Sequence, residues 1–300
     1  MPSATNEVTS VDYNSIRDKV VSILGTGSST RGYGQTIQST SVSPGNTITK
    51  AQWDALRYDI INIKLHQDGV LPNIATVPTA DPIRYGAGHP NTNFNTLIDQ
   101  AVINRFNLGG SQLVISTKAT RTYTNTWGAS ASAEVTLTFD NANDARYFFN
   151  SGGKLRFTSS RTGGTASSQN NAWTNLLSAI GTQSFGASIP TIVNYYTLTN
   201  SYNDGVFYQN SSSTPYSSNY YQLAAKTNVA NNSTGTATVV YFQILWRDDY
   251  VDLGPPTPGD VVDGTLSLTV EEVKASGTLQ PTGNFTITSP TYSISSITAS

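Results

Sequence analysis

The sequence predicts a mainly β protein, an antiparallel β-sandwich of jelly-roll-like form with a small helical part at its N-terminus. Three observations lead to this prediction. Charged residues make up only 12% of the chain, about half the usual share, and Ser, Thr, Asn and Gly replace them. Helical spacing of hydrophobic residues is concentrated in the first 110 residues. Beyond that point the hydrophobic period becomes two, as in strands with one buried face.

The N-terminal part is predicted to contain three helices. The first has hydrophobic residues at helical spacing and ends at a glycine cap, Gly25. The second follows a capping-box pattern, Thr49 and Gln52, and ends at Gly69. One face of this helix is formed by hydrophobic residues at spacings of three and four: Trp53, Leu56, Ile60 and Ile63. The third helix is expected at 93–106.

Short β-rich segments, bounded by Gly, Asn, Ser or Pro, recur along the remaining chain. They lie at 111–117, 131–139, 152–160, 190–199, 233–246, 266–270, 284–289 and 292–298. Residues 239–246 are nearly all apolar, so we expect a strand that is central and covered. One helix is expected at 172–180, and the proline-rich stretch 253–260 predicts a hinge. The predicted domains are a helical docking region (1–110), a β-sandwich (111–254) and C-terminal strands that complete the sandwich (255–300).

The glycine-rich stretch 24–35, LGTGSSTRGYGQ, raises the question of whether its amides bind phosphate. The common phosphate-binding loops follow a strand and open directly into a helix, so that helix amides face the anion. Here a helix precedes the glycines, and the next helix begins only near Lys50. The stretch is therefore predicted to be a connector between two helices, with Arg31 and Tyr33 as candidates for contact with a neighbouring chain.

Composition excludes several classes of function. The chain has no cysteine and a formal net charge of −2, so neither disulfides nor attraction to nucleic acid is expected. No apolar run is long enough to cross a bilayer, and the N-terminus lacks the pattern of a signal peptide. We therefore expect a protein that is made in the cytoplasm and does not insert into membranes.

Candidate metal ligands are few. His66 and His89 lie far apart and have no further ligands at zinc spacing. The densest acidic cluster, Asp248, Asp249 and Asp252, lacks the pattern of a calcium-binding loop. We expect neither a metal nor a cofactor.

Candidate catalytic residues are also few. Glu271 and Glu272 are adjacent on a predicted strand, so they should point to opposite faces and cannot serve as an acid/base pair on one sugar. No Gly-x-Ser-x-Gly motif occurs. The sequence therefore predicts a protein that is not an enzyme.

Residues 194–223 are rich in tyrosine, asparagine and serine. Exposed tyrosine among small polar residues is typical of recognition surfaces, because the ring adds contact area at little entropic cost. Burial between subunits would account for the same composition, as would a place in the core. The candidates for a recognition surface are Tyr202, Tyr208, Tyr216, Tyr220 and Tyr221.

The second helix offers candidates for subunit contact or docking. Its hydrophobic face either packs on the first and third helices or meets the same helix in neighbouring chains, although it is too short to predict a coiled coil. Together with the glycine-rich connector, the candidates are Arg31, Tyr33, Trp53, Leu56, Ile60 and Ile63.

Three stretches carry a resemblance to a known group of proteins. DYNSIRDKVVSILGTGSSTRGYGQ (12–35) and VSPGNTITKAQWDALRYDIINIKLHQDG (42–69) resemble the N-terminal region of virion structural proteins from contractile-tailed phages that infect cyanobacteria. NANDARYFFNSGGKLRFTSSRTGG (141–164) is similar to the β-domain of the same group, whose members are often described as tail-fibre or structural proteins. The resemblance brings no catalytic residues.

The resemblance implies a component of the phage particle. We expect a homo-oligomer, a trimer or a ring, that docks on the tail, neck or baseplate through its helical part and projects its β-domain. A slender fibre shaft is not indicated, because collagen-like repeats and long heptads are absent from the sequence. The alternatives are a capsid-decorating protein and a module that binds a host-surface glycan through the tyrosine-rich region.

Overall fold

The computed structural model describes residues 7–26, 31–74, 76–77, 94–187, 193–251, 261–277 and 285–300. Within them the chain forms two antiparallel sheets and five α-helices, which confirms the predicted fold class. The helices are α1 (Ser10–Leu24), α2 (Lys50–Asp68), α3 (Phe94–Ile103), α4 (Ala142–Asn150) and α5 (Ser168–Ile180). The strands are β1 (Leu113–Tyr123), β2 (Ser130–Thr138), β3 (Lys154–Thr162), β4 (Thr182–Gly186), β5 (Val206–Ser211), β6 (Tyr220–Thr227), β7 (Val239–Arg247), β8 (Thr265–Ala275), β9 (Thr291–Ile294) and β10 (Thr298–Ala299).

The chain divides into two compact units. The helical unit consists of Met1–Val114, Arg146–Gly153 and Lys274–Thr288. The sandwich unit consists of Ile115–Ala145, Lys154–Val273 and Ser289–Ser300. Their boundaries differ from the predicted division at 110 and 254, because each unit combines segments that are distant in sequence. The predicted proline-rich hinge, 253–260, lies outside the described residues.

The three predicted N-terminal helices are present as α1, α2 and α3. Thr9 and Thr49 each accept a hydrogen bond from the amide three residues later, and both helices begin with a capping box. Gly69 ends α2 in the left-handed conformation, with φ of 74°. Gly25 also follows its helix, but its φ of −76° is ordinary. The third helix ends at Ile103, earlier than predicted.

The core of the helical unit lies among α1, α2 and α3. The rings of Trp53 and Phe94 stack with centroids 4.6 Å apart, and Tyr13 lies 6.3 Å from Trp53. Ile16 and Ile98 are also fully buried. Burying a large apolar side chain contributes about 1.5–3 kcal/mol, so these contacts are a main source of the unit's stability.

The sandwich unit has nested strand pairs, in which early strands lie beside late ones. One sheet has the order β1-β8-β3-β4, and the other has the order β10-β2-β7-β6-β5, with β9 also pairing with β2. The pairs β1–β8 and β2–β7 therefore join distant parts of the chain, a long-range connection that jelly-roll sandwiches also use. The predicted C-terminal strands contribute β8 to the first sheet and β9 and β10 to the second.

Aromatic side chains fill the space between the two sheets. Phe242 of β7 lies 5.2 Å from Phe157 of β3 and 5.1 Å from Phe185 of β4, measured between ring centroids. Phe207 of β5 lies 5.0 Å from Phe185. β7 is central, as predicted, but only alternate residues are fully buried and those between them are half-buried, so the predicted covering is incomplete.

Three local predictions differ from the structure. Residues 193–199 contain a single 3₁₀ turn, Tyr195–Thr197, because the Asn194 side chain accepts a hydrogen bond from the Tyr196 amide (2.9 Å) and caps the turn. Residues 285–289 form no strand. The helix α4 was not predicted; the Asn141 side chain, which accepts hydrogen bonds from the amides of residues 143 and 144, starts it.

Candidate functional site

The glycine-rich stretch uses its described amides within the chain. The amides of Tyr33, Gly34 and Gln35 donate to the carbonyls of residues 23, 25 and 24, at 2.7, 2.8 and 2.8 Å. These carbonyls are at the C-terminal end of α1, where a helix leaves acceptors unpaired. The stretch therefore closes a helix, and these amides do not face a binding site. Residues 27–30 of the stretch lie outside the described part of the chain.

Tyr33 is a core residue, which corrects its prediction as a docking residue. Its side chain is fully buried in the helical unit. Its hydroxyl donates to the Arg105 carbonyl and accepts from Gln67 Nε2 at 2.9 Å. Its ring lies 4.9 Å from the imidazole of His66 and 5.6 Å from the ring of Phe285. Arg31, the other candidate in this stretch, is half-buried.

The hydrophobic face of α2 is likewise internal. Its four predicted docking residues expose at most 1% of their surface. The sequence left two alternatives open for this face, and in the structure it packs on α1 and α3. The prediction that these side chains take part in docking is therefore corrected. The residues concerned are Trp53, Leu56, Ile60 and Ile63.

The helical unit instead exposes apolar side chains at the end where α2 and α3 finish. Val70 is 69% exposed, Leu71 55%, Ile103 81% and Val114 42%. Gln67 of α2 donates to the carbonyl of residue 101 of α3 (2.9 Å), and Ser111 donates to the carbonyl of residue 69 (2.6 Å). These bonds bring the two helix ends and the start of β1 together. We call Val70, Leu71, Ile103 and Val114 the apolar end.

Sequence reasoning missed the apolar end for a physical reason. Val70 and Leu71 follow α2 directly after Gly69, Ile103 is the last residue of α3, and Val114 lies at the start of β1. Periodicity identifies residues that face a core, whereas single apolar residues at the ends of helices and strands give no such pattern. An apolar pair directly after a helix-ending glycine, Val70 and Leu71, was the available signal.

The predicted tyrosine candidates separate into buried and accessible residues. Tyr221 is 1% exposed, and its hydroxyl accepts a hydrogen bond from Ser159 (3.2 Å) in the sandwich core, so its prediction as a surface residue is corrected. Burial raises the pKa of Tyr221 above its usual value. The four remaining candidates are half-buried and retain accessible surface: Tyr202, Tyr208, Tyr216 and Tyr220.

Tyr220 lies on the outer face of the six-stranded sheet and Tyr202 lies beside it, whereas Tyr208 is paired with the core-facing Leu223. Pairing aligns Tyr220 with Arg247, and Lys226 with Tyr241, on neighbouring strands β6 and β7. Alternate residues of these strands face the core, so these four point outward. We call the following residues the tyrosine face: Tyr202, Tyr220, Gln222, Lys226, Tyr241, Gln243 and Arg247. Tyr241 was missed because it lies outside the tyrosine-rich segment. It is the third residue of β7, and the alternation along this strand places it on the outward-facing side.

Lys226 lies between two aromatic rings. Its Nζ is 4.4 Å from the centroid of Tyr202 and 5.5 Å from that of Tyr241, within the range of cation–π attraction. Burial raises the pKa of Tyr202, and the nearby carboxylate of Glu134 raises it further, so the Tyr202 hydroxyl stays protonated at neutral pH. The lysine is thus held by its neighbours at one end of the face.

The other end of the tyrosine face is built by Asn219. Its side-chain oxygen accepts from the amides of Asp249 (3.0 Å) and Tyr250 (2.7 Å), which fixes the chain after β7. Tyr250 meets Tyr216 with ring centroids 4.6 Å apart. Arg247 Nε donates to Asp249 Oδ1 at 2.7 Å.

The described acidic residues around Asp248 do not converge on one site. Asp248 is 4% exposed and accepts from Gln169 Nε2 at 2.6 Å, whereas Asp249 is exposed and paired with Arg247. Asp252 lies outside the described residues, as does His89. In the described part of the chain no three His, Asp or Glu side chains gather as metal ligands.

The two adjacent glutamates of β8 point to opposite sides, as predicted. Glu271 faces outward and pairs with Arg156 (3.4 Å), whereas Glu272 is 1% exposed. Glu272 accepts from Tyr292 (2.5 Å) and Ser289 (3.2 Å) and pairs with Lys118 (3.2 Å). All its partners lie in the sandwich unit, where this carboxylate joins three segments.

A second polar cluster anchors the start of α5. Asp263 accepts from the Thr165 amide (3.0 Å) and from Asn170, and it pairs with Arg161 (3.3 Å). Although burial opposes its ionisation, the hydrogen bonds from Thr165 and Asn170 lower the pKa of Asp263. Both clusters hold segments of the fold in place.

Comparison with known proteins gives no relative: no family model, curated protein or solved structure matches this chain. Among the described residues, none of the helices combines the length and the hydropathy needed to cross a bilayer.

Proposed function

We propose that the chain is a structural protein of a phage particle, a homo-oligomer that docks on the tail, neck or baseplate and projects its sandwich unit. The apolar end of the helical unit carries this proposal. Ile103 and Val70, exposed by 81% and 69%, lie on a unit whose core already contains the regular faces of its helices. Clustered exposed apolar side chains mark protein contact sites.

Composition supports the same proposal. A chain with 12% charged residues loses little solvation free energy when neighbouring copies cover its surface. Residues 12–35, 42–69 and 141–164 resemble cyanophage virion proteins, and this resemblance is the reason for proposing a phage particle and its tail region. A capsid-decorating protein is the second candidate, because a chain with a sandwich unit and an apolar docking end on its helical unit would serve equally well on a shell.

The experiment is a measurement of the oligomeric state by light scattering and sedimentation. We expect the purified wild-type chain to form a trimer or a ring. Ile103→Lys places a charge in the apolar end and should weaken self-association at least about tenfold, because an interface does not tolerate an unpaired buried charge.

Val11→Lys is the matched control. Val11 is 72% exposed, but it lies at the opposite end of the helices, since Tyr13 of the same turn bonds to the carbonyl of residue 52 at the start of α2. This variant should assemble like the wild type. A monomeric wild type, or an oligomer unaffected by Ile103→Lys, would overturn self-association through the apolar end.

A further inference from the structure

We propose that the tyrosine face binds a linear acidic polysaccharide through Lys226. This inference goes beyond assembly, and it can be tested on the purified chain whatever particle contains it. Its starting point is the position of Lys226 between the rings of Tyr202 and Tyr241. A surface lysine is usually mobile, whereas two rings that attract the ammonium hold this one in place before any ligand arrives.

The charge of Lys226 is available to a ligand. No described carboxylate lies within ion-pair distance of its Nζ, whereas Arg247 on the same face is already paired with Asp249 at 2.7 Å. The nearest acidic row contains Glu134, which is exposed and two strands away. Strand spacing puts its backbone about 12 Å from that of Lys226. Its carboxylate raises the pKa of Tyr202, whose ring holds Lys226, so Glu134 lowers the positive potential at this end of the face without forming an ion pair.

The shape of the face suits an extended chain. Lys226 follows Tyr220 by six residues on β6, which corresponds to roughly 20 Å along the strand. Between them the face presents the amides of Gln222 and Gln243, which both donate and accept hydrogen bonds. A polysaccharide chain offers hydroxyls along its whole length, and a uronic acid adds the carboxylate that an ammonium binds with a charge-assisted hydrogen bond.

The test is calorimetric titration with two hexasaccharides of equal length, one of galacturonic acid and one of neutral glucose. We expect the acidic probe to bind more tightly, and its affinity to fall as salt is raised. Lys226→Gln should weaken binding of the acidic probe at least about tenfold, as expected when one charged hydrogen bond is lost. Lys226→Arg, which keeps the charge, should restore most of it.

Two further variants separate this site from general charge effects. Lys154→Gln removes a lysine from the outer face of the four-stranded sheet and should leave binding unchanged. Glu134→Gln should strengthen binding slightly. The proposal is overturned if the acidic probe does not bind, if Lys226→Gln binds it as the wild type does, or if polyglutamate binds equally well. If a variant loses polysaccharide binding but still forms the oligomer, the result bears on the binding site alone and not on the assembly proposal.

Discussion

At the scale of single residues, Gly34 shows why one position in the glycine-rich stretch requires glycine. Its φ is +70°, and a Cβ atom there would overlap the ring of Tyr147. Gly34→Ala should lower the free energy of unfolding by about 2–4 kcal/mol, from the left-handed backbone and the overlap together. Denaturant unfolding measures this change.

Gly45→Ala is the control for backbone strain alone. Gly45 has a φ of +82°, but no atom lies within 4 Å of an added Cβ. The Gly45→Ala variant should lower the free energy of unfolding by about 1–2 kcal/mol. Equal losses in the two variants would show that the contact with Tyr147 contributes nothing.

His66 makes the stability of the helical unit depend on pH. Burial lowers its pKa to about 3, against a smaller opposite effect of a hydrogen bond to the Ser151 backbone. The imidazole is also stacked 4.2 Å from Phe285. Because the unfolded chain takes up the proton near pH 6.5 and the folded chain does not, stability is complete above pH 6.5 and decreases as the pH falls toward 3.

The expected loss between pH 6.5 and pH 5 is about 2 kcal/mol. His66→Phe keeps an aromatic ring and should lack this loss, so the difference between the two proteins isolates the histidine. Asp59, whose pKa burial raises, contributes with the opposite sign and cancels in that difference. As a second measurement on the wild type, the NMR titration of His66 should show an imidazole that is still neutral at pH 5; protonation near pH 6.5 would contradict the account.

At the scale of elements, Glu272 connects β8 to β1 and β9. Tyr292→Phe removes the hydroxyl that donates to Glu272 at 2.5 Å and should lower the free energy of unfolding by about 1.5–3 kcal/mol, as expected for a hydrogen bond to a charged group. Tyr250→Phe changes a half-buried tyrosine in the same unit and should cost less than 1 kcal/mol, on the order of a surface substitution. Equal losses of unfolding free energy in the two variants would show that the contacts of Glu272 do not stabilise the connection of β8 to β9.

Much of the element level was predictable because it is local. Capping boxes at Thr9 and Thr49 and alternation along β8 are patterns within a few residues. The nested pairs β1–β8 and β2–β7 join residues more than a hundred positions apart, and no local pattern specifies them. The helix α4 has a local signal, Asn141 followed by apolar residues 145, 148 and 149 at helical spacing, but the signal is short and lies between two predicted strands.

The candidate sites were less predictable than the fold. Trp53 is large and regularly placed on the face of a helix, and these properties predict burial in a core as readily as docking. Tyr221 and Tyr220 are adjacent in sequence, yet one faces the core and the other faces outward, because strand register decides the side. Register becomes visible only when the partner strands are known.

At the scale of the whole molecule, the two units offer surfaces of different chemistry. The helical unit has the apolar end, and the sandwich unit has the tyrosine face, with its lysine and glutamines. Apolar clusters favour permanent contacts, whereas polar aromatic faces favour exchangeable ligands. We therefore propose docking through the first and recognition through the second, and we expect variants of Ile103 and of Lys226 to affect these two properties independently.

We propose that the chain is a structural part of a phage particle, and cryo-electron microscopy of the purified particles, with this chain assigned to density, is the decisive experiment. We expect copies at the tail, neck or baseplate, with Val70, Leu71 and Ile103 covered by a neighbouring chain. Density on the capsid would favour the decorating role instead. Absence of the chain from the particle, or an apolar end that faces solvent in every copy, would contradict the proposal.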